Sequence, residues 1–192
     1  MSHRELNGRI IQIDQPDTTH DHAQHVAGTM VASGINPLAK GMAPKAQLWA
    51  HDWFDDESEM AIAAANGLLI SQHSYGWITG WYQNPDLGTY WYGNQFIDNF
   101  EDANFGRYDE HAKHWDEIAF NAPYYLICKS AGNDRGDFNT GSHYVRDSSG
   151  TWVSSSDVRD KDGGNDGYDC IGHNGNAKNI LAIGAVEDVP SY

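Results

Sequence analysis

The sequence has no long apolar run: no segment approaches the roughly 20 apolar residues that a membrane-spanning helix needs, and none has the pattern of a secretory leader. Cysteine is scarce, with only Cys128 and Cys170 in 192 residues. Two thiols do not make a disulfide framework. Cys128 lies in the apolar run Tyr124-Tyr125-Leu126-Ile127, where a free cysteine behaves as a small hydrophobe. Positive charge is the third deficit: 12 Lys and Arg face 27 Asp and Glu, a net charge of −15. Nucleic acids and anionic membranes recruit clustered cations, so neither is an expected partner. The balance fits a soluble, extracytoplasmic protein. The length suits one domain, 1–192, with a sizeable core and is short for two ordinary ones.

Aromatic residues are plentiful, and the elements can be read in order. Arg9–Ile13 is apolar-rich and ends at Asp14, which reads as a strand-end carboxylate. Residues 15–21 form a polar, turn-rich loop. Asp21 is placed to cap a helix whose apolar stripe is Val26, Met30 and Ala27 and whose stop is Gly34. A Gly-Pro turn at 41–44 feeds a strand over 47–53. A second helix starts at Asp55 or Asp56, where Asp56 and Glu59 have capping-box spacing, and it ends at Gly67. Leu68-Leu69-Ile70-Ser71 reads as a strand buried on both faces of a parallel sheet. Residues 77–107 are irregular and aromatic and read as a long ordered loop, with a turn of helix near 94–100, that could wall a cleft. A third helix spans Tyr108–Asn121, with Ala112, Trp115, Ile118 and Ala119 on its inner face. Strands follow over 124–128 and 177–186. Strand–helix–strand order makes the fold class α/β, a mainly parallel sheet flanked by helices.

Four short blocks carry chemistry. His22 stands in the first turn of the first helix, and imidazole is the side chain that accepts and returns a proton near neutral pH. The block His22-Ala23-Gln24-His25-Val26-Ala27-Gly28-Thr29 resembles the His-Gly-Thr-His-Val-Ala-Gly-Thr block of the subtilisin-like serine proteases (subtilases), with Ala23 and Gln24 as departures. Gly41-Met42-Ala43-Pro44-Lys45-Ala46-Gln47-Leu48 is similar to a subtilase Gly-Val-Ala-Pro segment. Ser74-Tyr75-Gly76 is similar to the family's Ser-x-Gly segment, and Ser130-Ala131-Gly132-Asn133 to its Ala-Ala-Gly-Asn segment. All four stand in the family's order. The resemblance implies a serine endopeptidase acting on polypeptides, with His22 as triad base and Asn133 as oxyanion donor. It also implies that Ser74, Tyr75 and Gly76 form a backbone edge along which an extended substrate pairs.

The resemblance covers nearly all of this sequence but only the middle of the family's domain. Ser2–Ile10 is similar to the segment that follows the family's aspartate strand, and no Asp-Thr-Gly precedes it. No serine stands in a Gly-x-Ser-x-Gly or Gly-Thr-Ser-Met setting. The stretch is therefore expected to be inactive alone, truncated at both ends, and marginally stable because strand pairing and core are missing. Two other readings stand beside the first. One is a non-catalytic relative that binds extended peptides. The other is a zinc hydrolase using His20, His22 and His25, because the stretch from Thr19 to His25 also resembles a His-x-His-x-Asp-His zinc block; Gln24 replaces its Asp. No cofactor is required by the protease reading. Asp160-x-Asp162-Gly163-Gly164-Asn165-Asp166 offers oxygen ligands that could hold Ca²⁺, although a solvated insertion is the simpler account of 134–176.

Overall fold

A computed structural model describes residues 3–14, 18, 20–164 and 167–186. The chain divides into two compact units, Met1–Asp56 and Glu57–Tyr192.

In the first unit, β1 (Ile10–Gln12) precedes α1 (Asp21–Val31), and a turn of 3₁₀ helix at Pro37–Ala39 leads to β2 (Leu48–Ala50). β1 and β2 pair in parallel, Ile10 opposite Leu48. The cap of α1 is His20 rather than Asp21: the His20 ring nitrogen accepts the His22 backbone N–H at 3.2 Å. Asp21 instead occupies the first turn, where a carboxylate suits the positive end of the helix dipole. The buried face is Ala27 and Val31, packed with Leu6 and with Met30 partly buried against them, so Ala27 and Met30 of the expected stripe join this cluster and Val26 does not. The Gly41-Met42-Ala43 backbone satisfies carbonyls that the end of α1 would leave open. Gly41, Met42 and Ala43 donate their N–H groups to Ala32, Thr29 and Met30 at 2.9, 3.0 and 2.7 Å. A Cβ on residue 41 would lie 2.4 Å from the Ala32 nitrogen, so only glycine fits there. Glu5, buried, ties the start of the unit to the loop after α1. Its carboxylate accepts from the Ser33 hydroxyl and from the Gly34, Ile35 and Asn36 N–H groups at 2.7–3.0 Å. These donors hold its pKa down at about 2.

The second unit takes in most of α2 (Asp56–Ala65) and holds two sheets. The first is parallel and runs in the order β3 (Ile70–His73), β6 (Leu126–Ser130), β9 (Leu181–Ile183), with α3 (Glu110–Asn121) against it. Its core is Met60, Trp115, Ala119, Tyr125 and Ile127. Asp109 caps α3, accepting the Ala112 N–H at 3.0 Å. A carboxylate joins the inner face of α3: Asp116 is buried, taking the Lys178 and Asn179 N–H groups at 2.8 and 2.7 Å and the Tyr108 hydroxyl at 2.8 Å. Burial on both faces does not hold, since Ile70 is 62% exposed and Leu181 47%. Only the side bearing Ile127 has α3 and α2 over it.

The second sheet lies in the stretches read as loop and solvated insertion. β4 (Trp81–Asn84) and β5 (Gly88–Trp91) form one hairpin, and β7 (His143–Arg146) and β8 (Trp152–Ser155) form another. β5 joins β7 in parallel through Tyr90 and Tyr144. The inner face buries Trp81, Trp91 and Val145. Arg159, 1% exposed, lies with its guanidinium carbon 4.0 Å from the Trp91 ring centre and donates to Asn99 and His143. On the outer side Tyr90 stacks on Tyr144 and meets Trp152 edge-on. The stretch 94–100 makes a single turn, closed by Ile97 and Asp98 N–H groups donating to the Asn94 carbonyl. Cys128 and Cys170 are free thiols. Among the described residues no helix is long and apolar enough to cross a membrane.

Candidate active-site cleft

His22 occupies the first turn of α1 and is exposed, as are His20 and His25. The three histidines of the zinc reading are not assembled as a ligand set in this geometry. Among the described residues, ligand atoms of His20, His22 and His25 do not come within 4.8 Å of one another as a set. His20 already spends a ring nitrogen on the helix cap. Asp14 follows β1 and accepts the Asp52 N–H at 2.8 Å, as a strand-end carboxylate does.

The second unit contains a cleft of about 480 Å³. One wall is the chain leaving β3, with Ser74, Tyr75 and Gly76. The facing wall is the chain leaving β6, Ser130-Ala131-Gly132-Asn133. Two segments singled out separately in the sequence thus meet across one cavity, because β3 and β6 are adjacent and in register, His73 opposite Lys129. Both strands end at the same level, so their exits open on the same space, which is where parallel sheets build sites. Gly132 takes φ +103°, a conformation that favours glycine, and this turn leaves Asn133 exposed at the cleft. The Asn133 side chain makes no hydrogen bond to another described residue, so its amide is available to a ligand.

The floor of this wall is polar and tightly held. His73 is buried, its ring 4.8 Å from that of Trp115. Its ring nitrogens contact the Tyr75 hydroxyl at 2.8 Å and the Ser71 hydroxyl at 2.7 Å, and Tyr125 donates to Ser71 at 2.6 Å. Burial, reinforced by the nearby Lys129 charge, lowers the His73 pKa to about 4. The ring is therefore neutral at pH 7 and orients Tyr75. Asp134 and Asp137 also line the cleft. Burial raises both carboxyl pKa values, and Asp134 accepts from the Thr79 hydroxyl at 3.3 Å. Lys129, 5% exposed, has its ammonium pKa lowered by burial. Nearby, Asp162 accepts the Trp81 N–H at 2.8 Å, and burial lifts its pKa to about 8. Gly80 makes room for that carboxylate, since a Cβ there would fall 2.3 Å from its oxygens. This residue of the suggested calcium loop is turned inward to support β4. Asn165 and Asp166 lie outside the described residues.

The model of the subtilase family of peptidases (peptidase S8) matches residues 3–191. The chain belongs to the subtilase family. No curated protein and no solved structure gave a match. Membership makes the general activity that of a serine peptidase, a hydrolase acting on polypeptides.

Several residues of this subtilase's cleft had no motif to announce them. Thr79, Trp81, Tyr82, Gln83, Ile171 and Asn174 all line it. Trp81 and Tyr82 could be anticipated only as part of an aromatic stretch able to wall a cleft. Ile171 and Asn174 come from a distant Gly-rich segment, and nothing local points to them. Lys129 has a signal of its own: a lysine near the end of an apolar strand, next to the Ser-Ala-Gly-Asn block.

Proposed function

We propose that this chain carries the histidine and oxyanion-hole segments of a subtilisin-type serine endopeptidase. In that reaction a serine oxygen attacks the peptide carbonyl while His22 takes its proton. The tetrahedral oxyanion is held by the Asn133 amide. The C–N bond then breaks, and His22 returns the proton to the leaving amine; water repeats the sequence to release the acyl group. A neutral amide suits the oxyanion role, since it donates without a proton transfer of its own. The observation that carries the reading is the meeting of Asn133 with Ser74–Gly76 across one cleft. The extended substrate would pair with the 74–76 backbone and present its carbonyl towards Asn133. The acidic balance fits work outside the cytoplasm.

No serine in these 192 residues has a nucleophile setting, so the stretch by itself binds peptide without turning it over. Treatment with a fluorophosphonate probe is expected to leave it unlabelled; one equivalent of label would overturn that. In any longer reading frame that supplies the serine, Asn133→Ala should lower kcat about 10²–10³-fold with little change in KM, the range known for the equivalent donor of subtilisin. A KM change alone would remove Asn133 from the oxyanion role.

A further inference from the structure

Lys129 is a buried cation with no carboxylate within 4.0 Å among the described residues. It is the penultimate residue of β6, is 5% exposed and lines the cleft. Its ammonium donates to the Ser130 carbonyl at 2.8 Å and the Ser130 hydroxyl at 3.2 Å. Both acceptors are neutral, and an ammonium has three protons to place. Of the two carboxyls that share its cleft, Asp134 favours the charged ammonium through space without forming an ion pair with it. Asp134 takes the Thr79 hydroxyl, and the pKa values of Asp134 and Asp137 are both raised by burial. His73, its partner across the sheet, is neutral at pH 7 and engaged with Ser71 and Tyr75.

The position of the ammonium gives this charge a meaning. Nζ lies 3.6 Å from where a Cβ on Gly76 would be, directly behind the proposed substrate-pairing edge. Glycine leaves the approach from the cleft to the ammonium free of a side chain. Buried charge is costly unless it is paired and hydrogen-bonded, and an ammonium whose direct acceptors are both neutral favours an anion arriving with the ligand. A charge-assisted hydrogen bond from an ammonium to a carboxylate is roughly twice as strong as a neutral one.

We infer that Lys129 forms a carboxylate-recognition subsite in the cleft and selects polypeptides that place an acidic side chain, glutamate above all, against the Ser74–Gly76 edge. The inference rests on the peptide-binding reading of the cleft. Glutamate fits better than aspartate because the ammonium is set behind the wall and the longer side chain reaches it. Lysine and arginine side chains are rejected by the same charge.

The test uses the full chain and three extended peptides, acetylated and C-terminally amidated, identical except for one Glu, Gln or Lys. The only carboxylate is then the side chain under test. Affinities are measured by calorimetry at low and moderate salt. The Glu peptide is expected to bind at least tenfold tighter than the Gln peptide, with the Lys peptide weakest. Lys129→Met should bring Glu and Gln peptides to equal affinity. Equal binding of Glu and Gln peptides by the unaltered chain would overturn the subsite and leave the cleft standing. Failure of all three peptides to bind would overturn the cleft reading itself. The Glu–Gln comparison needs no variant, so it decides the matter even if Lys129→Met fails to fold.

Discussion

The two sheets of the second unit solve the same problem with different chemistry. The parallel sheet β3-β6-β9 is held by an apolar cluster around Trp115 and Ile127, and one of its faces remains exposed at Ile70 and Leu181. The four-stranded sheet β4-β5-β7-β8 has a small apolar centre, Trp81, Trp91 and Val145, and adds a buried polar frame of Arg159, His143 and Asp162. Burial of apolar area is tolerant of detail, whereas a buried polar frame holds only if each member keeps its partners. The first sheet sets the level of the strand exits that make the cleft. The second fixes Trp81 and Tyr82 along its side.

Trp115→Ala should be the most damaging change. Truncating a fully buried tryptophan costs about 3–5 kcal/mol, and the exposed apolar face leaves little reserve, so the chain is expected to have lost its urea transition. Full cooperative unfolding with a shift below 1 kcal/mol would mean that the Trp115 cluster does not hold the parallel sheet. Arg159→Met should cost less, about 2–3 kcal/mol, since it leaves the Asn99 and His143 acceptors without their charged donor. Its mark should be local: near-ultraviolet circular dichroism from Trp81 and Trp91 changes while far-ultraviolet signal is retained. Loss of both signals together would show that the two sheets are one cooperative body and would collapse the comparison.

The pH response should separate the sheets by sign. His73, in the parallel sheet, has a folded pKa of about 4 against 6.5 unperturbed. The unfolded chain takes up that proton first, so stability is lost as pH falls from about 6.5 towards 4 and then levels off. Asp162, in the second sheet, is raised to about 8 from 3.8. Its contribution is complete below about pH 4 and is lost as pH rises through 8. In urea titrations, His73→Gln should remove a rise in stability between about pH 4 and 6.5, and Asp162→Asn a fall between about pH 4 and 8. Above about pH 6.5 only Asp162→Asn should change the slope; a His73→Gln effect there would contradict the His73 assignment.

The same contrast explains what could be read from the residues. The parallel sheet follows from β6, whose run Tyr124–Cys128 reads as a strand, and from α3, whose face is set by Ala112, Trp115 and Ala119. The edges were placed about two residues early, at Leu68 and Tyr124, because apolar runs extend ahead of the paired residues. Of the site, Asn133 and Ser74–Gly76 were legible because the backbone turn and its chemistry lie in contiguous residues. The second sheet was not, since its strands are four residues long and their inward and outward positions are both aromatic, as in Trp81-Tyr82 and Tyr90-Trp91. Alternation, the signal of a half-buried strand, is erased when both faces carry rings. The turns Asn84-Pro85-Asp86-Leu87-Gly88 and Asp147-Ser148-Ser149-Gly150 were the remaining clues. The buried roles of Arg159 and Asp162 were hidden by a polar neighbourhood that reads as solvated loop.

The central claim is that the exits of β3 and β6 form one peptide-binding cleft. Backbone amide chemical shifts of the full chain, followed by NMR during titration with the amidated Glu peptide, test it most directly. The account predicts saturable shifts concentrated at Ser74–Gly76 and at Ala131–Asn133. Saturable shifts confined to other surfaces, or none at millimolar peptide, would contradict it.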